Sequence, residues 1–325
     1  MRTAIIVAIL IGVFTLIYLS GDRPDGFTPE FSIREVPENP EDLKTLIDNR
    51  ESQTAGLKPD NNARINFANT EEPQKEACAI IYLHGFMASP GEAKPLHKQV
   101  AGQLGCNLYL PRFSGHGIKN ISNVREISAA DWFDDILEAK SVGARLGEEV
   151  ILMGNSMGGL AALWLASQSE TVSTLVLFAP LIEPQIRFSG LLSGPWAYQF
   201  AGLISDRGYV QTDPDNEKHE QYWHTRYPSS ALVELAVFYE TLIDATDFSE
   251  IHQPVFTGYY YRSEDEKDEL ISVEAVDQMM EQLGTEEELK KTVRFSDAEK
   301  HVITSPARNK NWKTVRSEVL EFLDN

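Results

Sequence analysis

The sequence predicts an α/β fold, a mostly parallel sheet with helices on both faces and an inserted helical cap. Short apolar segments of strand length alternate with helical segments over most of the chain, which is typical of a parallel sheet covered on both sides. A long aromatic stretch, residues 181–251, interrupts this alternation. In addition, a glycine-flanked serine stands between a strand and a helix, in Gly154-Asn155-Ser156-Met157-Gly158.

Length and composition favour one large domain or one domain with an insertion. The 325 residues are 42% hydrophobic, enough to build a full core, and their net charge of −20 argues against electrostatic binding of nucleic acid or anionic lipid. The predicted parts are a signal anchor or signal peptide (1–20), a tether and N-terminal helix (21–60), the α/β core (61–180 and 252–325) and the cap (181–251).

The N-terminus predicts export or membrane attachment. Arg2 precedes a continuously apolar run, residues 4–19, which is at the short end for a membrane-spanning helix. Since no A-x-A-like cleavage site follows, an uncleaved signal anchor is favoured over a removed signal peptide. The early positive charge predicts that the bulk of the chain lies outside the cytoplasm, in the periplasm or at the cell surface if the source is bacterial, although Arg23 weakens that bias.

The elements are expected in chain order from apolar periodicity, capping residues and glycine or proline breaks. Strands are predicted over residues 64–68, 79–83, 107–110, 149–153, 174–178, 255–261 and 292–295. Helices are predicted over residues 40–54, 95–104, 129–146, 159–166, 273–283 and 311–323, and the cap is expected to be helical without strands. Cys78 and Cys106 each open a strand; two reduced core cysteines are the simpler expectation, and a disulfide between neighbouring strands is the alternative.

The serine at 156 is the predicted nucleophile. A sharp turn from strand to helix forces a strained backbone on the serine, and glycines two residues away on either side avoid collisions. The hydroxyl would then stand at the carboxyl edge of the sheet, where ligands of such sheets bind. Two backbone donors should stabilise an oxyanion there: the N–H of Met157, after the nucleophile, and that of Phe86, beside Gly85.

A base and an acid are expected in loops that follow later strands. Of the seven histidines, His301 follows the last strand and is the predicted base; the others are His84, His97, His116, His219, His224 and His252. His219 and His224 are five residues apart and would not share a helix face, which excludes an H-E-x-x-H zinc site. Among many acids, Asp268 is the first choice because Leu270-Ile271 follows it; Asp265 and then Glu183 remain alternatives.

Taken together, these motifs resemble the alpha/beta-hydrolase superfamily, and more narrowly its monoacylglycerol lipase, carboxylesterase and serine aminopeptidase-like branch. The resemblance covers residues 77 to the C-terminus and rests on His84-Gly85-Phe86, Gly115-His116-Gly117, Gly154-Asn155-Ser156-Met157-Gly158, Asp268-Glu269-Leu270-Ile271 and His301-Val302-Ile303-Thr304. It implies Ser156 as nucleophile, Asp268 as acid, His301 as base and Phe86 and Met157 as oxyanion donors, with no metal or organic cofactor.

The function expected from this resemblance is hydrolysis of small carboxylic esters through an acyl-enzyme, and the aromatic cap favours an apolar acyl group. Two alternatives stay open. The first is an amide, peptide or thioester hydrolase on the same triad, for which an aminopeptidase would need an acidic cap group such as Asp206, Asp213, Asp215 or Glu217. The second is a non-catalytic binding protein that retains the fold.

Overall fold

The computed structural model describes residues 2–119, 127–185 and 189–324 of the chain. Its strands are β1 (Arg64–Asn66), β2 (Glu76–Leu83), β3 (Asn107–Leu110), β4 (Gly147–Asn155), β5 (Val172–Phe178), β6 (Tyr209–Gln211), β7 (Arg226–Pro228), β8 (Val255–Ser263), β9 (Glu266–Lys267) and β10 (Lys290–Phe295). Its α-helices are α1 (Arg2–Leu19), α2 (Pro40–Ser52), α3 (Leu96–Leu104), α4 (Ala129–Leu146), α5 (Met157–Ser167), α6 (Ala197–Leu203), α7 (Glu217–Tyr222), α8 (Ser230–Ala245), α9 (Val273–Gln282) and α10 (Trp312–Leu323).

The main sheet has the order β1-β3-β2-β4-β5-β8-β10, and β9 pairs with β8. Among the described strands of this main sheet, only β1 and β9 run antiparallel to their neighbours. The register aligns Leu83 with Gly154 and Asn155 with Phe178. The carboxyl ends of β2, β4 and β5 therefore meet at one edge, and the loops that follow them face the same space.

Both faces are buried along most of the central strands β2, β3, β4 and β5, which explains why these strands carry continuous apolar runs rather than an alternating pattern. Along β2, Ile81 packs with the helices α2, α4, α5 and α8 on one face, whereas Ile80 and Tyr82 pack with α3 and α10 on the other. All three side chains are fully buried. The mostly parallel sheet with helices on both faces, predicted from the sequence, is thereby confirmed.

The cap, residues 181–251, contains helices α6, α7 and α8 and also a short antiparallel hairpin, β6–β7. The expectation of a cap without strands was therefore wrong. In the hairpin Tyr209 pairs with Pro228, and the guanidinium of Arg226 lies 3.6 Å from the centre of the Tyr209 ring. Strands of three residues are too short to show a recognisable alternation of apolar and polar residues in the sequence.

The N-terminal run forms α1, but the prediction of a transmembrane anchor is not supported. No helix of the described residues is both long and apolar enough to cross a bilayer. The following segment, residues 21–39, lies against the core: Phe27 packs 5.0 Å from Phe133, and Phe31 packs 6.4 Å from Trp164, measured between ring centres.

Cys78 and Cys106 form a disulfide, so the expectation of two reduced cysteines was wrong. The reason is the register of β2 and β3, in which Ala79 pairs with Asn107. Each cysteine precedes one residue of this pair, and their Cα atoms lie 4.8 Å apart. The linkage ties together the starts of two neighbouring parallel strands.

Candidate active site

Ser156 lies in a sharp turn between β4 and α5, with φ 53° and ψ −115°. The two flanking glycines are required by the packing of this turn. A Cβ atom on Gly154 would lie 2.3 Å from the carbonyl oxygen of Gly158, and one on Gly158 would lie 2.1 Å from that of Leu83. Any larger residue would displace backbone, so the sequence pattern around Ser156 fixes the strained serine at the carboxyl edge of the sheet.

Asp268 and His301 are hydrogen-bonded, although 33 residues separate them. His301 Nδ1 lies 2.7 Å from Asp268 Oδ2, while Asp268 Oδ1 accepts hydrogen bonds from the N–H groups of Leu270 (2.9 Å) and Ile271 (3.3 Å). Burial of the His301 ring disfavours its charged form, but the charge and hydrogen bond of Asp268 outweigh this and raise the pKa of His301 above its ordinary value. The pair can therefore accept a proton on the imidazole and stabilise it.

The two alternative acids do not occupy this position. Asp265 lies exposed in the turn between β8 and β9, and Glu183 is also exposed. The reason given for Asp268 is right in part: Ile271 is fully buried, but Leu270 is 52% exposed. Backbone donors of the next turn, rather than an apolar pair, hold the carboxylate.

The backbone N–H groups of Phe86 and Met157 are free to bind a ligand. Among the hydrogen bonds of the described residues, neither group donates one. Met157 begins α5, where the helix dipole also favours negative charge. The Phe86 ring packs edge-on against Trp132 at 6.0 Å and Tyr227 at 5.5 Å, which anchors this loop to the core and to the cap.

His84 and His116, which adjoin glycines in the loops after β2 and β3, have structural roles. His84 Nδ1 lies 2.9 Å from the carbonyl of Gly85, and its Nε2 accepts the N–H of Phe113 at 3.1 Å. Burial lowers the pKa of His84 well below its ordinary value and the pKa of His116 to about 4. His97 is buried within α3, and His252 contacts Gly284 at the opposite end of β8; only His301 is paired with a buried carboxylate in the described part of the chain.

Ser156 and His301 line the same cavity, of about 270 Å³. The hydroxyl of Ser156 makes no hydrogen bond within the described residues. The sheet edge contributes polar and backbone groups, and the cap contributes mainly apolar side chains. The lining residues are Gly85, Phe86, Glu92, Asn155, Ser156, Leu181, Pro184, Leu192, His219, Trp223, Tyr227, Leu232, Leu235, Ala236, Tyr239, Glu240, Leu270, Ile271, His301, Val302 and Arg308.

Sequence reasoning missed several polar residues of this cavity, among them Glu92, Glu240 and Arg308. Arg308 Nη1 lies 2.8 Å from His219 Nδ1 and pairs with the carboxylate of Asp215. Glu92 lies six residues after Phe86 in the sequence. A single acidic residue in a turn has no sequence pattern that distinguishes a buried carboxylate from a solvent-exposed one. No group of three potential metal ligands is present among the described residues.

The fold and this site define a known class of protein, and sequence comparison identifies it. A model of the alpha/beta hydrolase family matches residues 80–299. The chain belongs to the alpha/beta hydrolase family. No curated protein sequence matches it significantly.

Solved structures with a similar fold include several lipolytic enzymes. One, from work on LipS and LipT, two metagenome-derived lipolytic enzymes, has a TM-score of 0.65 and 16% identity and covers 82% of this chain and 99% of its own. The monoacylglycerol lipase of Paleococcus ferrophilus has a TM-score of 0.57 and 15% identity, with 80% and 97% covered. At such identities the likeness concerns the fold.

Proposed function

We propose that this protein is a serine hydrolase that cleaves small carboxylic esters through an acyl-enzyme. The observation that carries the proposal is the cavity that Ser156 shares with a buried Asp268–His301 pair. Similar folds described as lipases and esterases support the same reaction class. In this proposal Ser156 is the nucleophile, His301 the general base and Asp268 the group that orients and stabilises the imidazole.

The reaction proceeds in two steps. His301 takes the proton of Ser156 as the serine oxygen bonds to the ester carbonyl carbon, and the resulting oxyanion is bound by the N–H groups of Phe86 and Met157. The intermediate expels the alcohol, which receives the proton from His301, and leaves an acyl-enzyme. Water attacks this ester with His301 again as base, the acid departs, and the proton returns to Ser156. Contacts between catalytic serine and histidine often tighten only when substrate binds.

The cavity favours a short or medium apolar acyl group. Its volume of about 270 Å³ is near the lower limit for ligand pockets. Apolar side chains dominate the cap side, among them Leu192, Leu232, Leu235 and Ala236. An acyl chain placed there would be desolvated without leaving a polar group unpaired.

The aminopeptidase alternative has less support. None of the four cap acids named from the sequence belongs to the described lining of the cavity, and Asp215 is paired with Arg308. Glu240 does line the cavity, but it accepts a hydrogen bond of 2.5 Å from Ser193. Because the four acids named from the sequence do not reach the cavity, an ester is the favoured substrate.

The deciding experiment is a hydrolysis profile across acyl esters of increasing length and their matched amides, together with labelling by a fluorophosphonate. Wild-type protein is expected to hydrolyse short and medium esters faster than amides and to become labelled. Replacing the nucleophile, Ser156→Ala, should abolish labelling and reduce kcat by about 10⁴-fold or more. Wild-type protein that neither labels nor cleaves any ester would refute the enzymatic proposal and favour a binding protein.

We also propose that the protein works outside the cytoplasm, because disulfides persist in oxidising compartments. Protein purified without reductant is expected to have no free thiol after denaturation and two after reduction, as measured by alkylation and mass spectrometry. The cysteines are 28 residues apart, so reduction should lower the free energy of unfolding by roughly 3–4 kcal/mol. Recovery of two free thiols from protein alkylated directly in its native cells would contradict this proposal.

A further inference from the structure

Glu92 is a buried carboxylate that the proposed mechanism does not use. It lies between β2 and α3, its residue is 1% exposed, and it reaches the cavity. Its oxygens accept three hydrogen bonds: from Tyr82 O–H at 2.9 Å, from Gly85 N–H at 3.0 Å and from Asn155 Nδ2 at 3.1 Å. A carboxylate almost never occurs fully buried unless such partners compensate the loss of water.

Two of these donors come from the two sides of the proposed oxyanion hole. Gly85 immediately precedes Phe86, which supplies one oxyanion N–H, and Asn155 immediately precedes Ser156 and Met157. The approach is close: a Cβ atom on Gly85 would lie 3.0 Å from Asn155 Nδ2 and 3.1 Å from Glu92 Oε1. The carboxylate therefore bridges two loops that no covalent link in this region holds together.

We propose that Glu92 is a positioning residue that sets the distance between the two oxyanion donors by binding Gly85 on one side and Asn155 on the other. The inference rests on the ester hydrolase function proposed above and adds a residue to its machinery. Oxyanion stabilisation depends on donors that are held in place before the charge develops. Removal of the bridge should therefore slow the chemical step more than it weakens substrate binding.

The negative charge of Glu92 has a second consequence, because it acts on His301. Burial raises the pKa of Glu92 to about 7, against the opposing effect of its hydrogen bonds and of His301. The titratable groups that face it are Tyr82 of β2 and His301 of the loop after β10; the partners from Gly85 and Asn155 are uncharged. An ionised Glu92 stabilises the imidazolium and so raises the pKa of His301.

The first test is Glu92→Gln, which keeps the size of the side chain and removes its charge. Its amide oxygen can still accept hydrogen bonds on one side, but its NH₂ cannot accept on the other, so the bridge is weakened. We expect kcat for a short ester to fall by about tenfold to a hundredfold, with KM changed by less than about threefold. Loss of the negative charge lowers the pKa of His301. Since the base must be neutral to act, the fall of kcat/KM on the acidic side of the pH profile (the acidic limb) should move to lower pH by about half a unit or more.

The second test is Tyr82→Phe, which removes one donor and keeps the ring and the carboxylate. Without this hydrogen bond the charged form of Glu92 is less stable and its pKa rises. Glu92 is then neutral over a wider pH range, so the charge that raises the pKa of His301 is present over a narrower range. The acidic limb should therefore move to lower pH, in the same direction as in Glu92→Gln but by less. This variant keeps the proposal testable even if Glu92→Gln folds poorly.

Glu51→Gln is the matched control. Glu51 is also a buried carboxylate, 4% exposed, and it accepts hydrogen bonds from Ala63 N–H and from Arg112, outside the cavity. This control should lower the melting temperature but leave the pH profile and KM unchanged. Unchanged kcat and an unmoved acidic limb in both Glu92→Gln and Tyr82→Phe, with active wild-type enzyme, would overturn the role of Glu92 alone. Wild-type protein without esterase activity would overturn both proposals.

Discussion

The two sides of the cavity are held in different ways. On the sheet side, Ser156 is fixed by a strained turn whose glycines leave no room for a Cβ atom, and Asp268 is fixed by two backbone donors besides His301. On the cap side, apolar side chains of α8 such as Leu235 line the cavity. The end of α6 carries the exposed Leu203 and Ile204, which are 83% and 54% exposed.

This difference indicates how the two sides should respond to substitution. Groups held by backbone geometry and buried hydrogen bonds have one arrangement, and the loss of any partner leaves a buried group unpaired. Apolar side chains on a helix can be exchanged for others of similar volume at small cost. Changes on the sheet side should therefore affect the chemical step for every substrate, whereas changes in the cap should affect the choice among substrates.

The largest effect in this comparison is expected for Asp268→Asn, which keeps the shape of the side chain and removes its charge. The kcat for any ester should fall by about 10⁴-fold, because the imidazolium loses its stabilising partner and the tautomer of His301 is no longer fixed. Since Asp268 raises the pKa of His301, the residual activity should show its acidic limb at lower pH. Steady-state kinetics across pH measure both effects.

Asp265→Asn is the matched control, since it makes the same chemical change on an exposed side chain three residues away. Its kcat and pH profile should equal those of wild type. Equal losses in the two variants, or full activity in Asp268→Asn, would show that the acid has been assigned wrongly and that the two sides of the cavity do not differ as described.

The sequence predicts those parts of the site that depend on local chain geometry. The turn around Ser156 needs glycine at fixed spacing, so its pattern is visible in five consecutive residues. The acid could be chosen only by its order along the chain and by the apolar pair that follows it, because exposed and buried carboxylates look alike in the loop 263–269. Glu92 could not be found, since its role depends on Tyr82 and Asn155, which the fold brings to it from other strands.

The same distinction applies to the fold. Buried strands of the parallel sheet are apolar runs of four residues or more, so their order along the chain and most of their positions were predicted. The hairpin β6–β7 has strands of three residues, and the disulfide depends on the register of β2 against β3. The apolar N-terminal run predicted a membrane anchor, although its length is at the short end for a spanning helix.

The smallest effect is expected in the cap, for Leu235→Trp. The larger side chain would fill part of the space assigned to the acyl group, so kcat/KM for medium-chain esters should fall by about tenfold or more. An acetyl ester needs little of that space and should lose less than about threefold. Leu203→Trp makes the same change on an exposed cap residue and should leave the whole profile unchanged. A side chain that only narrows the acyl site does not slow a substrate that is too short to reach it. An equal loss for short and medium esters in Leu235→Trp would therefore place the acyl group elsewhere.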